Sequence, residues 1–394
     1  MNVQQKFGET LQHAEVSPRK QIVIVSQHWY SSRRKANFHF LADAFADLGH
    51  DVTFMTVQIS PISWLRRSDV RACPDVWKES GKLIKKRSHL RSFVWLTPFH
   101  VFSLRSPTAD RLTSAFFRLY GHLPLGKISR LVREADLFLF ESTGGILMVD
   151  RFRRMNPSAA YLYRPSDNLS YLRAHPVIVS TEERLLKTFD FISAPSRQMY
   201  ERAEPFGNVA FHPHGVDKEA FLRETQSPFP QDGRVHVVSV GASCFDHETL
   251  RLAAQAMPDW IFHIIGNVPQ TELLSNIRYY GEIPFAETIP YLQHADIGLS
   301  PYCDWPEVRS LADSSLRLTQ YTWCRLPSVA PTYCLRPDRP HLFGYEHSRP
   351  ETIKEALLAA GSYDRNTIQR DQIESWGELA EKILNQAGRV KRVA

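Results

Sequence analysis

Residues 21–57 read QIVIVSQHWYSSRRKANFHFLADAFADLGHDVTFMTV. Gln21–Ser26 is a short β-branched apolar run and predicts a buried strand. Phe38, Leu41, Ala42, Phe45 and Leu48 then recur at helical spacing, and Gly49 ends the helix. Asp51–Val57 is a second apolar strand, so the segment is a βαβ opening. The same alternation continues outward through Asp136–Glu141, Ala159–Tyr163, Phe191–Ala194 and Val209–His212. Near-continuous apolar strands between helices predict a parallel sheet covered on both faces.

A turn-rich polar stretch, Thr225–Gly233, interrupts the pattern and predicts a linker. The alternation restarts with Val235–Val240, Trp260–Ile265, Ile277–Gly281, Ile297–Pro301 and Ser328–Ala330. Two doubly wound α/β domains facing across a cleft are therefore expected, the GT-B plan, although a sugar epimerase or a periplasmic-type binding protein would fit the same pattern. The domains divide as 1–217 and 218–367, with a C-terminal helix and basic tail over 368–394. Ligands of such sheets bind beyond the carboxyl ends of the strands.

Length and composition bound the function. The chain has 394 residues, 43% hydrophobic and 23% charged, as expected of a folded globular protein. Its five cysteines are scattered, with no CxxC pair, which argues against a disulfide framework or a structural zinc site. Residues 1–20 are polar and lack the apolar core of a secretory leader. The uncharged stretch Ser92–Leu104 falls short of the ~20 residues a transmembrane helix needs. No GxGxxG, P-loop, HExxH, GxSxG or DxD string occurs, so a metal held through DxD is not expected.

Charge is divided unevenly. Residues 1–217 carry a net charge of +10, residues 218–394 a net of −4, and the window 64–133 alone +11. Within that window Lys85, Lys86, Arg87 and Arg91 precede the aromatic segment holding Trp95 and Phe99. Basic residues interleaved with aromatics suit an anionic membrane surface. The same pattern is also that of core aromatics beneath a solvated face. Nucleic acid has no supporting motif here.

Five constellations can carry chemistry. Asp313-Ser314-Ser315 caps a helix running through Leu316, Arg317 and Gln320; its free amides and Arg317 suit a phosphate, or it is an ordinary capped surface helix. Glu282, after the strand Tyr279-Tyr280-Gly281, can accept hydrogen bonds from a ribose or lie solvated. Gly241–Phe245, with Ser243 and Phe245, lets backbone approach a diphosphate. Asp167, in Tyr163-Arg164-Pro165-Ser166-Asp167-Asn168, is a candidate general base for a sugar acceptor, or the cap of the next helix. Arg34 and His39, in SSRRKANFHF, and His214, at the domain boundary, are candidates to face the cleft, each with a structural alternative.

In order, LFESTG (139–144), LYRPSDNLS (162–170), HGVD (214–217), YGE (280–282), LADSSLRLTQY (311–321) and FGY (343–345) resemble glycosyltransferase family 70 over about Ile22–Tyr345. The resemblance implies an inverting, metal-independent, cofactor-free GT-B enzyme. It implies transfer of glucuronate from UDP-glucuronate to a polyprenyl-diphosphate-linked oligosaccharide in exopolysaccharide assembly, peripherally at the cytoplasmic face of the inner membrane. By it, Asp167 falls on the base, Arg34 on a cleft arginine, and Glu282, Tyr302, Ser315, Leu316, Arg317 and Gln320 on donor contacts. Arg317 stands where the family has lysine, Leu316 where it has methionine, and Asn168 where it has glycine. A different UDP-sugar donor, or a non-catalytic sugar-nucleotide-binding protein of the membrane surface, are the alternative readings.

Overall fold

A computed structural model describes residues 18–66, 73–271, 273–309 and 311–393. The polar N-terminal stretch to residue 17 and residues 67–72 of the basic window lie outside the described residues.

The N-terminal domain runs β1 (Gln21–Ser26), α1 (Asn37–Asp47), β2 (Asp51–Ile59), α2 (Pro61–Arg66), α3 (Asp75–Glu79), β3 (Leu83–Arg87), β4 (Leu90–Leu96), α4 (Pro107–Arg118), α5 (Ile128–Glu134), β5 (Leu137–Glu141), α6 (Val149–Met155), β6 (Ala160–Arg164), α7 (Pro176–Leu186), β7 (Phe191–Ala194), α8 (Arg197–Ala203) and β8 (Val209–Phe211). The C-terminal domain follows with α9 (Lys218–Leu222), β9 (His236–Val240), α10 (His247–Ala256), β10 (Ile261–Ile265), β11 (Ile277–Gly281), α11 (Phe285–His294), β12 (Ile297–Leu299), α12 (Leu311–Ser314), α13 (Leu316–Trp323), β13 (Ser328–Pro331), β14 (Leu342–Tyr345) and α14 (Glu351–Gly361), before α15 (Trp376–Val393).

The first sheet has the order β3-β4-β2-β1-β5-β6-β7-β8 and the second β11-β10-β9-β12-β13-β14. Every described pairing between strands is parallel except β3 with β4. The strand order reverses between β1 and β5 in one sheet, and between β9 and β12 in the other. Each reversal opens a crevice at the carboxyl ends of its strands, where ligands of doubly wound sheets sit.

The sheets form because their strands are apolar runs that can be buried on both faces. Ile22 to Ser26 and Leu137 to Glu141 are all buried. One face of the first sheet packs under Phe138, Phe140, Phe152, Tyr120 and Trp95. The other packs under Phe38, Phe45 and Leu41 of α1. Gly49, at φ +84°, makes the left-handed turn that ends α1 before β2.

The C-terminal segment divides: Arg370 and Ile373 still pack on the C-terminal domain, whereas α15 completes the N-terminal one. Trp376, Leu379, Ile383 and Ala387 of α15 join the α1 cluster, and Trp376 stacks on Phe40 with ring centroids 5.2 Å apart. The chain thus crosses between domains twice, near Asp217 and again before Trp376. The crossings are tied to each other, since Val216 N–H donates to Glu374 O at 2.9 Å. Phe40 also meets Phe285 of the second domain edge-on, at 5.1 Å.

Candidate active site

On the N-terminal side, three strand ends converge at the β1–β5 reversal. Glu141 ends β5 and is 1% exposed. It accepts hydrogen bonds from Ser26 Oγ (2.6 Å), the Gln27 N–H (3.1 Å) and Ser166 Oγ (2.8 Å), and His28 Nε2 lies 3.4 Å away. Burial favours its neutral form, but the His28 ring and the hydroxyl donors outweigh burial and hold the carboxyl down at about 2. Glu141 is therefore a fixed negative charge beneath the loop that follows β6.

That loop carries Asp167. Ser142 Oγ accepts from the backbone N–H of Ser166 (2.9 Å) and of Asp167 (3.1 Å), which fixes the loop over Glu141. The Asp167 carboxylate itself accepts no hydrogen bond from the described residues. Burial first, and then the Glu141 charge, push its affinity for a proton above that of an ordinary aspartate; His28 and Arg34 oppose them. A carboxylate left without donors and made more basic is what proton abstraction from a hydroxyl requires.

Arg164, the residue before this loop, is fully buried. It donates to Ser193 Oγ (2.6 Å) and to His212 O (3.1 Å), and its Nη2 lies 3.1 Å from His214 Nδ1. Burial pulls its guanidinium down to about 9. Arg164 thus ties the base-bearing loop to the chain leaving the domain.

On the C-terminal side, Ser315 caps α13, accepting from the Leu318 N–H at 3.1 Å. Its Oγ lies 2.6 Å from the Tyr302 hydroxyl. Phe245 bridges to Tyr302, which draws the Ser243–Phe245 loop alongside. Arg317 Nε donates to Val240 O (2.6 Å) and its Nη2 to Gly241 O (2.5 Å), and the guanidinium lies 4.9 Å from the centre of the Tyr302 ring. Gly241 sits at φ +100°, and a Cβ there would come within 3.2 Å of Arg317 Nη2. Glycine is needed for this close approach. Ser314 is buried within α12, Gln320 is half-buried on α13, and Glu282 is exposed past the end of β11. Leu316 packs toward the α1 cluster of the other domain.

The halves touch. Arg34 Nη2 donates to Ser243 Oγ at 2.8 Å, and the Arg197 N–H donates to Asp313 Oδ2 at 3.1 Å. The structure so gathers Asp167 and Arg34 on one wall, and Ser243, Phe245, Tyr302, Ser315 and Arg317 on the other.

Other expectations are corrected by burial. His39 does not face the cleft: it is fully buried, its Nδ1 accepts from the Ala36 N–H at 3.0 Å, and its Nε2 donates to Trp29 O at 2.9 Å. Burial holds it neutral, pulled down to about 3. His214 is also buried, between Arg164 and Trp376. Trp95 is not a surface aromatic. It is 2% exposed in the core, its indole N–H donating to Pro124 O at 2.9 Å. Phe99 packs against Phe116 with centroids 4.2 Å apart. Lys86 pairs with Glu79 at 2.5 Å, and Arg87 with Asp43 and Asp47 of α1, so these two cations are already neutralised. Lys85 is exposed and Arg91 half-buried. Glu141 and His28 were missed as site residues.

Among the described residues, no group of three His, Cys, Asp or Glu side chains is placed to hold a metal ion. No helix among them is long and apolar enough to cross a membrane.

Two parallel-sheet domains with their reversals facing make the GT-B architecture. Solved structures share this architecture. A glycosyltransferase of Rickettsia africae superposes with a TM-score of 0.61 at 11% identity, covering 96% of this chain and 100% of that one. Anabaena HepE, solved with UDP and glucose, gives 0.60 at 11% identity over 94% and 100%. At such identities the likeness speaks for the fold alone. Sequence reaches further. Residues 24–195 match the family described as glucuronosyltransferase GumK, N-terminal domain. The UDP-glucuronate:glycolipid 2-beta-glucuronosyltransferase of Xanthomonas campestris pv. campestris is 29% identical over 365 residues, covering 92% of this chain and 89% of its own. The chain is thus similar to this glucuronosyltransferase over most of its length, and to the GumK N-terminal domain over residues 24–195.

Proposed function

We propose that this enzyme moves glucuronate from UDP-glucuronate to an oligosaccharide carried on a polyprenyl diphosphate, by single displacement with inversion and without a metal ion, in exopolysaccharide assembly. The observation that carries the reaction type is the Asp167 carboxylate, half-buried, made more basic, and set on the wall that Arg34 links to Ser243 of the donor domain. Asp167 takes the proton of the acceptor hydroxyl as its oxygen attacks the anomeric carbon. The bond from that carbon to the diphosphate oxygen breaks, and UDP leaves with the electron pair. Charge building on the diphosphate is met by the first-turn amides of α13 and by Arg317.

The acceptor's lipid calls for a membrane-facing surface, and we place it on α4. Leu112 and Phe116 of α4, with Leu119 at its C-cap, follow one helical stripe, 79%, 50% and 54% exposed, beside the exposed Arg111 and Arg118. Such a stripe supports a peripheral membrane contact, which the proposed reaction sets at the cytoplasmic face of the inner membrane.

The test is UDP release by the purified chain with UDP-glucuronate and a lipid-linked acceptor, with and without EDTA, and the anomeric configuration of the product by NMR. Release that persists in EDTA with an inverted product is expected. Another UDP-sugar as the preferred donor, a retained configuration, or loss of turnover in EDTA would each overturn the corresponding part.

A further inference from the structure

A second cavity, of about 390 Å³, opens at the amino ends of β1 and β4, the opposite end of the sheet from Asp167. Arg91 of β4, Lys127 just before α5, and Arg130 of α5 line it, with Leu83 and Leu131 as apolar wall. Its one carboxylate, Glu134, is engaged, accepting from Arg130 Nε at 2.8 Å. The side chains of Arg91 and Lys127 have no ion-pair or hydrogen-bond partner among the described residues. Lys85 stands directly opposite Arg91 across the antiparallel β3–β4 pair, likewise without a partner among the described residues. Like charges directly opposite on a sheet destabilise it. Here they are kept together, whereas the neighbouring Lys86 and Arg87 each have a carboxylate.

We propose that this cavity is an anion site that holds a phosphate group, through the planar fork of Arg91 and the ammonium of Lys127. The fork suits two phosphate oxygens at once, and the lysine adds a point charge. The cavity has room for a phosphate bearing a small alcohol, the chemistry shared by a glycerophospholipid headgroup and a soluble phosphate monoester. The headgroup source rests on the membrane contact proposed above; the phosphate chemistry does not.

The experiment compares the full chain with the Arg91→Gln/Lys127→Gln double variant. Melting temperature is followed as glycerol-1-phosphate is titrated against sodium chloride at equal ionic strength. The wild type is expected to gain several degrees from the phosphate beyond the chloride effect. The double variant is expected to melt no lower without ligand, because a repulsion has been relieved, and to respond to phosphate as to chloride. Co-sedimentation then uses phosphatidylcholine vesicles with and without phosphatidylglycerol. A loss of about thirtyfold in the double variant's affinity for the anionic vesicles alone identifies the headgroup as the source. An unchanged vesicle affinity beside a lost phosphate response identifies a soluble monoester. A wild type that responds equally to phosphate and chloride, or a double variant that keeps the phosphate response, overturns the site. A wild type that binds no vesicles counts against the α4 contact and leaves the melting result standing.

Discussion

Arg34 Nη2 donates to Ser243 Oγ at 2.8 Å, so the first βα loop of one domain holds the loop after β9 of the other. The same guanidinium acts on Asp167, lowering the proton affinity that burial and Glu141 raise. Arg34→Gln keeps a donor and removes the charge. Asp167 must be ionised to accept a proton, and without Arg34 it ionises at higher pH. The acidic limb of kcat/KM is therefore expected to move to higher pH in Arg34→Gln. In Ser243→Ala, which keeps the charge, the limb stays in place. A limb that stays put in both variants would remove Arg34 from the surroundings of the base.

Asp167→Asn separates chemistry from folding. Turnover is expected to fall by about 10²- to 10⁴-fold, the usual worth of a positioned base. A carboxyl whose proton affinity is raised by folding loses stability as pH rises through its folded pKa. At neutral pH the neutral Asn relieves that penalty, so the melting temperature is not expected to drop. UDP affinity, measured by calorimetry, is expected to be unchanged. Wild-type turnover with intact UDP binding would end the assignment.

Glu141 makes the opposite prediction. Its carboxyl is held at about 2, below the ordinary value of 4.5, so its contribution to stability is present above 4.5 and is lost as pH falls toward 2. Glu141→Gln is expected to cost on the order of 3 kcal/mol at neutral pH. The gap between the two proteins should narrow below pH 4.5 in denaturant titrations. A gap that is constant with pH would show that Glu141 acts by shape and hydrogen bonding alone.

The apolar residues of the basic window 64–133 divide into core and surface, and substitution tells them apart. Trp95→Ala opens a cavity beside Tyr120 and is expected to cost about 3–5 kcal/mol. Leu112→Ser with Leu119→Ser falls on exposed positions and is expected to leave the melting temperature close to wild type while weakening binding to all vesicles. If that pair sediments with vesicles as the wild type does, α4 is not the contact.

The fold was legible where burial on both faces writes itself as an apolar run, as in QIVIVS and LFLFE. β4 was not, because Phe93 and Trp95 in a buried strand share the composition of an interfacial segment. β3, LIKKR, lies at a sheet edge and shows no apolar run. Asp167 could be found because it follows a strand end within a recognisable string. Glu141 could not, since its role depends on Ser26 and His28, more than a hundred residues away in sequence and joined to it only by the β1–β5 pairing. His39 and His214 misled because a histidine buried neutral and one facing a cleft are the same letter.

Arg317 remains the residue where the donor end can be probed. It is 6% exposed, with Nε and Nη2 committed to Val240 O and Gly241 O, while Nη1 is buried and has no hydrogen-bond partner among the described residues. A lysine keeps the charge but cannot reach both carbonyls as a fork. Arg317→Lys is expected to lose about 1–3 kcal/mol of stability, as carbonyls go unsatisfied. In the donor site proposed above Nη1 is the donor toward the diphosphate, so UDP affinity should fall about tenfold, the worth of one charge-assisted bond. Uridine, which lacks the diphosphate, should bind both proteins alike. An equal loss for uridine and UDP would mean that the pocket wall has moved, and that Arg317 supports the site through the main chain of Val240 and Gly241 alone.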